Sequence, residues 1–210
     1  MSAAPRMAFN GVWPTFLIRR RLPGHEGPVG QLATLIQELE AREKDYTVRF
    51  HEQDFLATDH PAVRWLRGQV DETIAAYLRQ VGVERAPAWR VYGWYNTNRN
   101  GDHHGPHTHP RSYLSGTFYV RVPAAPERVD DPRAHPACIS FYDPRTGADM
   151  VTVPGERDSR AAHVVRPTPG TLLMWPSPVQ HSVHPNLSQE PRVSISFNVT
   201  IDPKAYGWKA

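Results

Sequence analysis

Cysteine is almost missing from this chain: Cys138 is the single one in 210 residues. An intramolecular disulfide is therefore excluded, and Cys138, inside the apolar run Ala137-Cys138-Ile139-Ser140-Phe141, reads as a small core residue. Lysine is scarce too, at three of the 24 basic residues, and the net charge is only +3. Arg19-Arg20-Arg21 is the one basic run, and aromatic and basic residues do not interleave as a base-stacking platform requires. Nucleic acid is not the expected partner. No apolar stretch approaches the roughly 20 residues that cross a bilayer, so no membrane partner is expected either. No apolar segment follows Met1 to Ala8, and without a signal or targeting segment the expected compartment is the cytoplasm. What is there is an ordinary globular composition, 40% apolar and 21% charged, at a length that suits one domain over 1–210.

Helical periodicity is confined to the N-terminal region, 1–88, which is expected to act as a helical support. Val29, Leu32, Leu35, Ile36 and Leu39 form one stripe, predicting a helix over about 28–42. A second helix is expected from an N-cap at Asp59, with Pro61 in its first turn, through Val63, Leu66, Val70, Ile74, Tyr77 and Leu78 to a stop at Gly82. From Trp89 the pattern changes to short aromatic and β-branched runs separated by Pro, Gly, Asn and Asp. Strands are expected near 89–97, 114–122, 138–142, 163–166, 171–175 and 192–201, with 12–19 as an edge or extra strand. The fold class this predicts is mainly β with flanking helices: a jelly-roll core over 89–202 with the helices packed on one sheet. The Pro- and Asp-rich stretches 123–136 and 144–161 read as long loops, the usual place for lids and substrate-binding segments.

The densest chemical signal is Gly101-Asp102-His103-His104-Gly105-Pro106-His107-Thr108-His109-Pro110. In an extended segment residues i and i+2 project to one side, so His107 and His109 can reach one ion at about 2.1 Å per bond. A third ligand must come from elsewhere, and Gln180-His181-Ser182-Val183-His184-Pro185 is the candidate segment. A lone H-x-H is equally compatible with a surface histidine cluster. The last strand alternates strictly: Val193, Ile195, Phe197 and Val199 form an apolar face, and Arg192, Ser194, Ser196 and Asn198 a polar one that suits either a cavity or solvent. The same alternation sets Ser115, Thr117 and Tyr119 opposite Leu114, Phe118 and Val120.

Over 94–199 the chain resembles the bacterial 2-oxoglutarate- and iron(II)-dependent oxygenases. The resemblance is carried by Asn98-Arg99-Asn100-Gly101-Asp102, Pro106-His107-Thr108-His109-Pro110, Leu114-Ser115-Gly116-Thr117-Phe118-Tyr119-Val120, Phe141-Tyr142-Asp143-Pro144-Arg145, Pro169-Gly170-Thr171-Leu172-Leu173-Met174-Trp175-Pro176-Ser177, His181-Ser182-Val183-His184-Pro185-Asn186 and Arg192-Val193-Ser194-Ile195-Ser196-Phe197-Asn198. It implies a double-stranded β-helix, the cupin-like version of the jelly roll, with Fe(II), 2-oxoglutarate and O2 in its mouth. It implies His107 and His181 as metal ligands, and Arg192 with Ser194 as the pair that binds the distal carboxylate of 2-oxoglutarate.

The wider superfamily uses two His and one carboxylate, whereas His109 here occupies the carboxylate position; Asp102 is the alternative third ligand. Tyr119 is a candidate donor to the cosubstrate. Trp94, Asn96 and Asn98 share a strand face and are candidates for the substrate side, and Arg145 either binds an anionic substrate or stabilises its own turn. The expected reaction couples oxidative decarboxylation of 2-oxoglutarate to oxidation, normally hydroxylation, of a small-molecule or peptide substrate. Two rivals stand beside it: a three-histidine cupin dioxygenase or isomerase, which has no need of Arg192, and a non-catalytic metal-binding jelly roll with a closed site. An exposed edge such as 12–19 leaves a homodimer open.

Overall fold

A computed structural model describes residues 14–42, 54–124, 135–145, 147, 150, 153 and 162–202. The expected loops 123–136 and 144–161, and the first two residues of the expected strand 12–19, lie largely outside the described residues.

Among the described residues two α-helices lie ahead of the run of strands that begins at Trp89. The first, α1 (Glu26–Arg42), starts two residues before the expected Pro28, because the carbonyl of His25 accepts from Val29 N at 2.8 Å and closes the first turn ahead of it. The second, α2 (Pro61–Gln80), is capped not by Asp59 but by His60, whose Nδ1 accepts from Ala62 N at 3.2 Å. The reason is Pro61: the residue before a proline is driven into the extended region, and His60 sits there at φ −143° and ψ 138°, the conformation a cap needs. Asp59 instead pairs with Arg64 on the exposed side. Ala62, Val63, Leu66, Val70, Ile74 and Leu78 of α2 are buried, as the helical spacing predicts.

Among the described residues nine strands form two antiparallel sheets. The larger has the order β1 (Ile18–Arg21), β7 (Thr171–Pro176), β4 (Leu114–Arg121), β9 (Arg192–Ile201), β2 (Trp89–Asn98); the smaller runs β3 (His104–His107), β8 (His181–Val183), β5 (Ile139–Tyr142), β6 (Ala162–Val165). The architecture is the double-stranded β-helix, and the helices lie on one face of the larger sheet. The six strands expected after Trp89 all form, with ends shifted by a residue or so. Missing from the expectation are β3 and β8. The β3 segment His-Gly-Pro-His has no β-branched residue, and its Gly-Pro reads as a turn.

Period-two alternation divides the core. Leu114, Phe118, Val120, Leu172, Met174, Val193, Ile195, Phe197 and Val199 face the helices and pack with Leu32, Ile36, Leu66, Val70 and Ile74. The opposite faces, through Tyr119, Leu173 and Trp175, meet Ile139, Phe141, Val165 and Val179 between the sheets. On the helix-facing side of the larger sheet Gly116 is a close-approach point: a Cβ there would collide with the Phe197 ring and lie 2.7 Å from the backbone oxygen of Leu173. No helix among the described residues is long and apolar enough to cross a membrane.

Candidate metal centre

The registers of the smaller sheet bring the histidines together. His107, at the end of β3, is the direct cross-strand partner of His181, the first residue of β8, and their ring centroids are 4.3 Å apart. His109, two residues on, is 5.1 Å from each of them. One nitrogen from each of the three rings lies within 4.8 Å of the others. Hydrogen bonds orient two of the rings. His107 Nδ1–H donates to the Gly105 carbonyl at 2.7 Å and His181 Nδ1–H to the Val179 carbonyl at 3.1 Å, which leaves both Nε2 lone pairs free for a ligand.

Electrostatics favour the same use. Burial, reinforced by the neighbouring imidazoles and opposed by the Val179 carbonyl, brings the His181 pKa down to about 3. Burial and His107 bring His109 down to about 4. Neutral imidazoles with exposed lone pairs are the protonation state a metal requires.

The rings open into a cavity of about 640 Å³ whose floor is the polar face of β9: Arg192, Ser194, Ser196 and Asn198. Arg192 is only 2% exposed, yet among the described residues no carboxylate pairs with it. One terminal nitrogen donates to Asn98 Oδ1 at 3.1 Å, its guanidinium carbon lies 5.0 Å from the centre of the Tyr119 ring, and its Nε has no partner. The buried Tyr119 hydroxyl also lacks one; burial raises its pKa, against the pull of Arg192. A buried guanidinium without a counter-ion costs several kcal/mol, so the arrangement calls for an anion from outside.

Residues 92–198, about half the chain, match the family described as "Putative 2OG-Fe(II) oxygenase". The chain belongs to this family. It is a 2-oxoglutarate-dependent iron oxygenase, an enzyme whose family uses Fe(II), 2-oxoglutarate and O2. No curated protein matches the sequence. Among solved structures the oxygenase is similar to a prolyl-4-hydroxylase from Pseudomonas putida, at TM-score 0.61 and 15% identity, over 89% of this chain and 92% of that one. It is similar to a Trichoplax adhaerens prolyl hydroxylase solved with a hypoxia inducible factor peptide fragment, at TM-score 0.57 and 13% identity, covering 93% and 87%. HygX from Streptomyces hygroscopicus, solved with nickel and 2-oxoglutarate, gives TM-score 0.53 and 14% identity, covering 90% and 84%. At these identities the structures speak for the fold.

Of the other residues singled out in the sequence, Ser194, Trp94 and Asn96 line the oxygenase cavity. Trp94 stands 6.0 Å from the His109 ring. Asn96 donates from Nδ2 to Ser196 Oγ at 2.9 Å, and its buried Oδ1 is unpartnered. Asn98 does not line the cavity; it lies fully buried behind Arg192. Arg145 is held by its own turn, with NH2 2.6 Å from Asp143 Oδ2, and is not in the cavity wall. Asp102 likewise closes a turn, accepting from Arg99 N at 2.7 Å, and stands outside the histidine group. Two wall residues lie in motifs quoted from the sequence but carry no role in the expected site. Trp175 packs 4.7 Å from His181 with its indole N–H unpartnered, and its position two residues after the Leu173 core position was the available signal. His104, brought down to about pKa 4 by burial and by Arg192, receives the Asn98 amide.

Proposed function

We propose that His107, His109 and His181 hold the iron and that Arg192, with Ser194 and Tyr119, holds the distal carboxylate of 2-oxoglutarate, in one domain whose helical region, residues 1–88, supports a core over 89–202. The observation that carries this reading is the uncompensated Arg192 in the wall of the cavity that the three imidazoles share. A planar guanidinium pairs both oxygens of a carboxylate, and its orphaned Nε supplies one of the two donors. The hydroxyls of Tyr119 and Ser194 add neutral donors to the same anion, so its charge meets a single full countercharge. The donor set fits iron(II): imidazole suits this metal, and two of the three rings are already fixed by backbone carbonyls. The Asn198 amide nitrogen stands 3.5 Å from His109 Nδ1. A half-turn of that amide makes His109 Nδ1–H the donor to Oδ1, and Ser115, which now donates to Asn198 at 2.8 Å, can accept instead.

Iron bound here supplies oxygen activation driven by decarboxylation of 2-oxoglutarate to succinate and CO2, and the oxidation of a substrate. The protein's own contribution is placement. Trp94 offers an indole face beside His109 and Asn96 stands in the same cavity wall, which suits a substrate group with an apolar C–H surface. That substrate is a small molecule or a peptide. The buried rings of Phe141 and Trp175, packed against His181, keep bulk water from the inner side of the site.

A three-histidine enzyme that uses no 2-oxoglutarate has no use for a buried guanidinium at this position. The test is succinate formation by anaerobically iron-loaded protein on admission of air. Wild type is expected to form succinate, and His181→Ala to lose its iron after dialysis. Full iron retention by His181→Ala removes His181 from the ligand set, and iron-loaded wild type that leaves 2-oxoglutarate intact overturns the reading.

A further inference from the structure

We propose that Asn98 is a positioning residue for the cosubstrate: its neutral oxygen pins the Arg192 guanidinium while leaving the positive charge uncancelled for 2-oxoglutarate. This rests on the reading of Arg192 as the carboxylate anchor.

Asn98 is the direct cross-strand partner of Arg192, on the last position of β2, and is fully buried. A guanidinium can only donate, so the 3.1 Å contact from Arg192 assigns the oxygen of the Asn98 amide. The nitrogen must then donate, and it stands 3.2 Å from His104 Nε2. His104 Nε2 therefore accepts, and its ring proton sits on Nδ1. The chain of donors runs one way, from Arg192 through Asn98 to His104, and none of its three members is an anion. The backbone of Asn98 is fixed as well: its carbonyl accepts from Asn186 Nδ2 at 3.0 Å, and the same nitrogen donates to the Glu190 carbonyl at 2.8 Å. With Tyr119 against its face and Asn98 at its edge, the guanidinium is held by two neutral contacts.

Asparagine at this place is informative because aspartate has the same shape and would hold Arg192 more strongly, as an ion pair. It would also occupy the charge that the incoming carboxylate needs and repel that carboxylate across a few ångströms of poorly screened interior. A residue serving the fold alone would gain from the carboxylate. A residue serving anion binding must avoid it.

The test uses manganese(II)-loaded protein and calorimetric titration with two probes: 2-oxoglutarate, and 2-oxobutyrate, which keeps the metal-chelating oxo-acid end and has no distal carboxylate. For Asn98→Asp the expected result is a Kd for 2-oxoglutarate raised at least about tenfold, equivalent to ~1.4 kcal/mol, with 2-oxobutyrate within about twofold of wild type. Equal weakening of both probes assigns Asn98 a purely structural role and overturns the inference, as does an unchanged Kd for both. Should Asn98→Asp fail to fold, Asn98→Ala decides: loss of at least about threefold for 2-oxoglutarate alone supports the pinning role, and no selective loss overturns it. Wild-type protein that shows no preference for 2-oxoglutarate over 2-oxobutyrate overturns the anchor reading, and this inference with it. Wild-type preference together with an unaltered Asn98→Asp variant overturns this inference alone.

Discussion

Replacing Arg192 with methionine should weaken the cosubstrate complex and leave the empty protein at least as stable as before. The guanidinium is 2% exposed and has no carboxylate partner among the described residues, so the folded protein bears a desolvation cost that one hydrogen bond to Asn98 and one ring contact only partly offset. Methionine fills most of the volume and removes the charge, abandoning one buried acceptor, Asn98 Oδ1, at about 1–3 kcal/mol. The two effects oppose each other, and relief of the buried charge is of at least equal size, so the melting temperature without ligand should stay level or rise. Binding behaves differently. Truncating one side of a buried charge-assisted pair costs about 2–5 kcal/mol, which is a loss of about 30-fold to several thousand-fold in affinity for 2-oxoglutarate. At 100 times its Kd a ligand adds ~2.7 kcal/mol to stability, so a thermal scan with and without 2-oxoglutarate, on metal-loaded protein, reads both quantities at once. Wild type should gain several degrees from 2-oxoglutarate and the Arg192→Met variant almost none. A variant that melts well below wild type in the absence of ligand, yet gains as much from 2-oxoglutarate, would refute both the desolvation argument and the anchor.

The remaining expectations concern the histidines and the packed layer. Because burial holds His109 near pKa 4 and His181 near 3, below the roughly 6.5 of an unfolded chain, the unfolded state takes up protons first as pH falls. The stability these rings contribute is therefore complete above about pH 6.5 and is lost progressively toward pH 4; metal-free protein should melt lower at pH 5 than at pH 7.5 by calorimetry, and a flat profile would show the rings charged or solvated. Gly116→Ala drives a methyl into Phe197 and into the rigid backbone oxygen of Leu173, and should cost about 1–3 kcal/mol in a urea titration; a change below half a kcal/mol would mean that the layer between the larger sheet and the helices yields more than its contacts imply.

Much of this molecule is legible in short-range pattern. The two-residue alternation from Arg192 to Asn198 separates the residues that meet the helices from those that line the cavity, and the strand geometry requires this whatever lies on either side. The i to i+2 spacing of His107 and His109 likewise follows from local extension. The stripe on α2 specifies a helix packed on one face. The exact cap was less legible, because Asp59 and His60 both have the side chain for it and the choice fell to the backbone restriction imposed by Pro61.

What the sequence alone determined, then, is which faces are polar, which are apolar and which imidazoles share a side, since each depends only on the repeat of a helix or strand. Tertiary structure alone decided that His181 pairs with His107, that Asn98 rather than an acid lies beside Arg192, and that Arg145 closes a turn away from the cavity. The first two facts depend on strand adjacency and register between segments far apart in the chain, and the third on where the cavity lies relative to a locally closed turn. Two strands adopt a particular neighbour and register because of the whole packed sheet, and no local period carries that information.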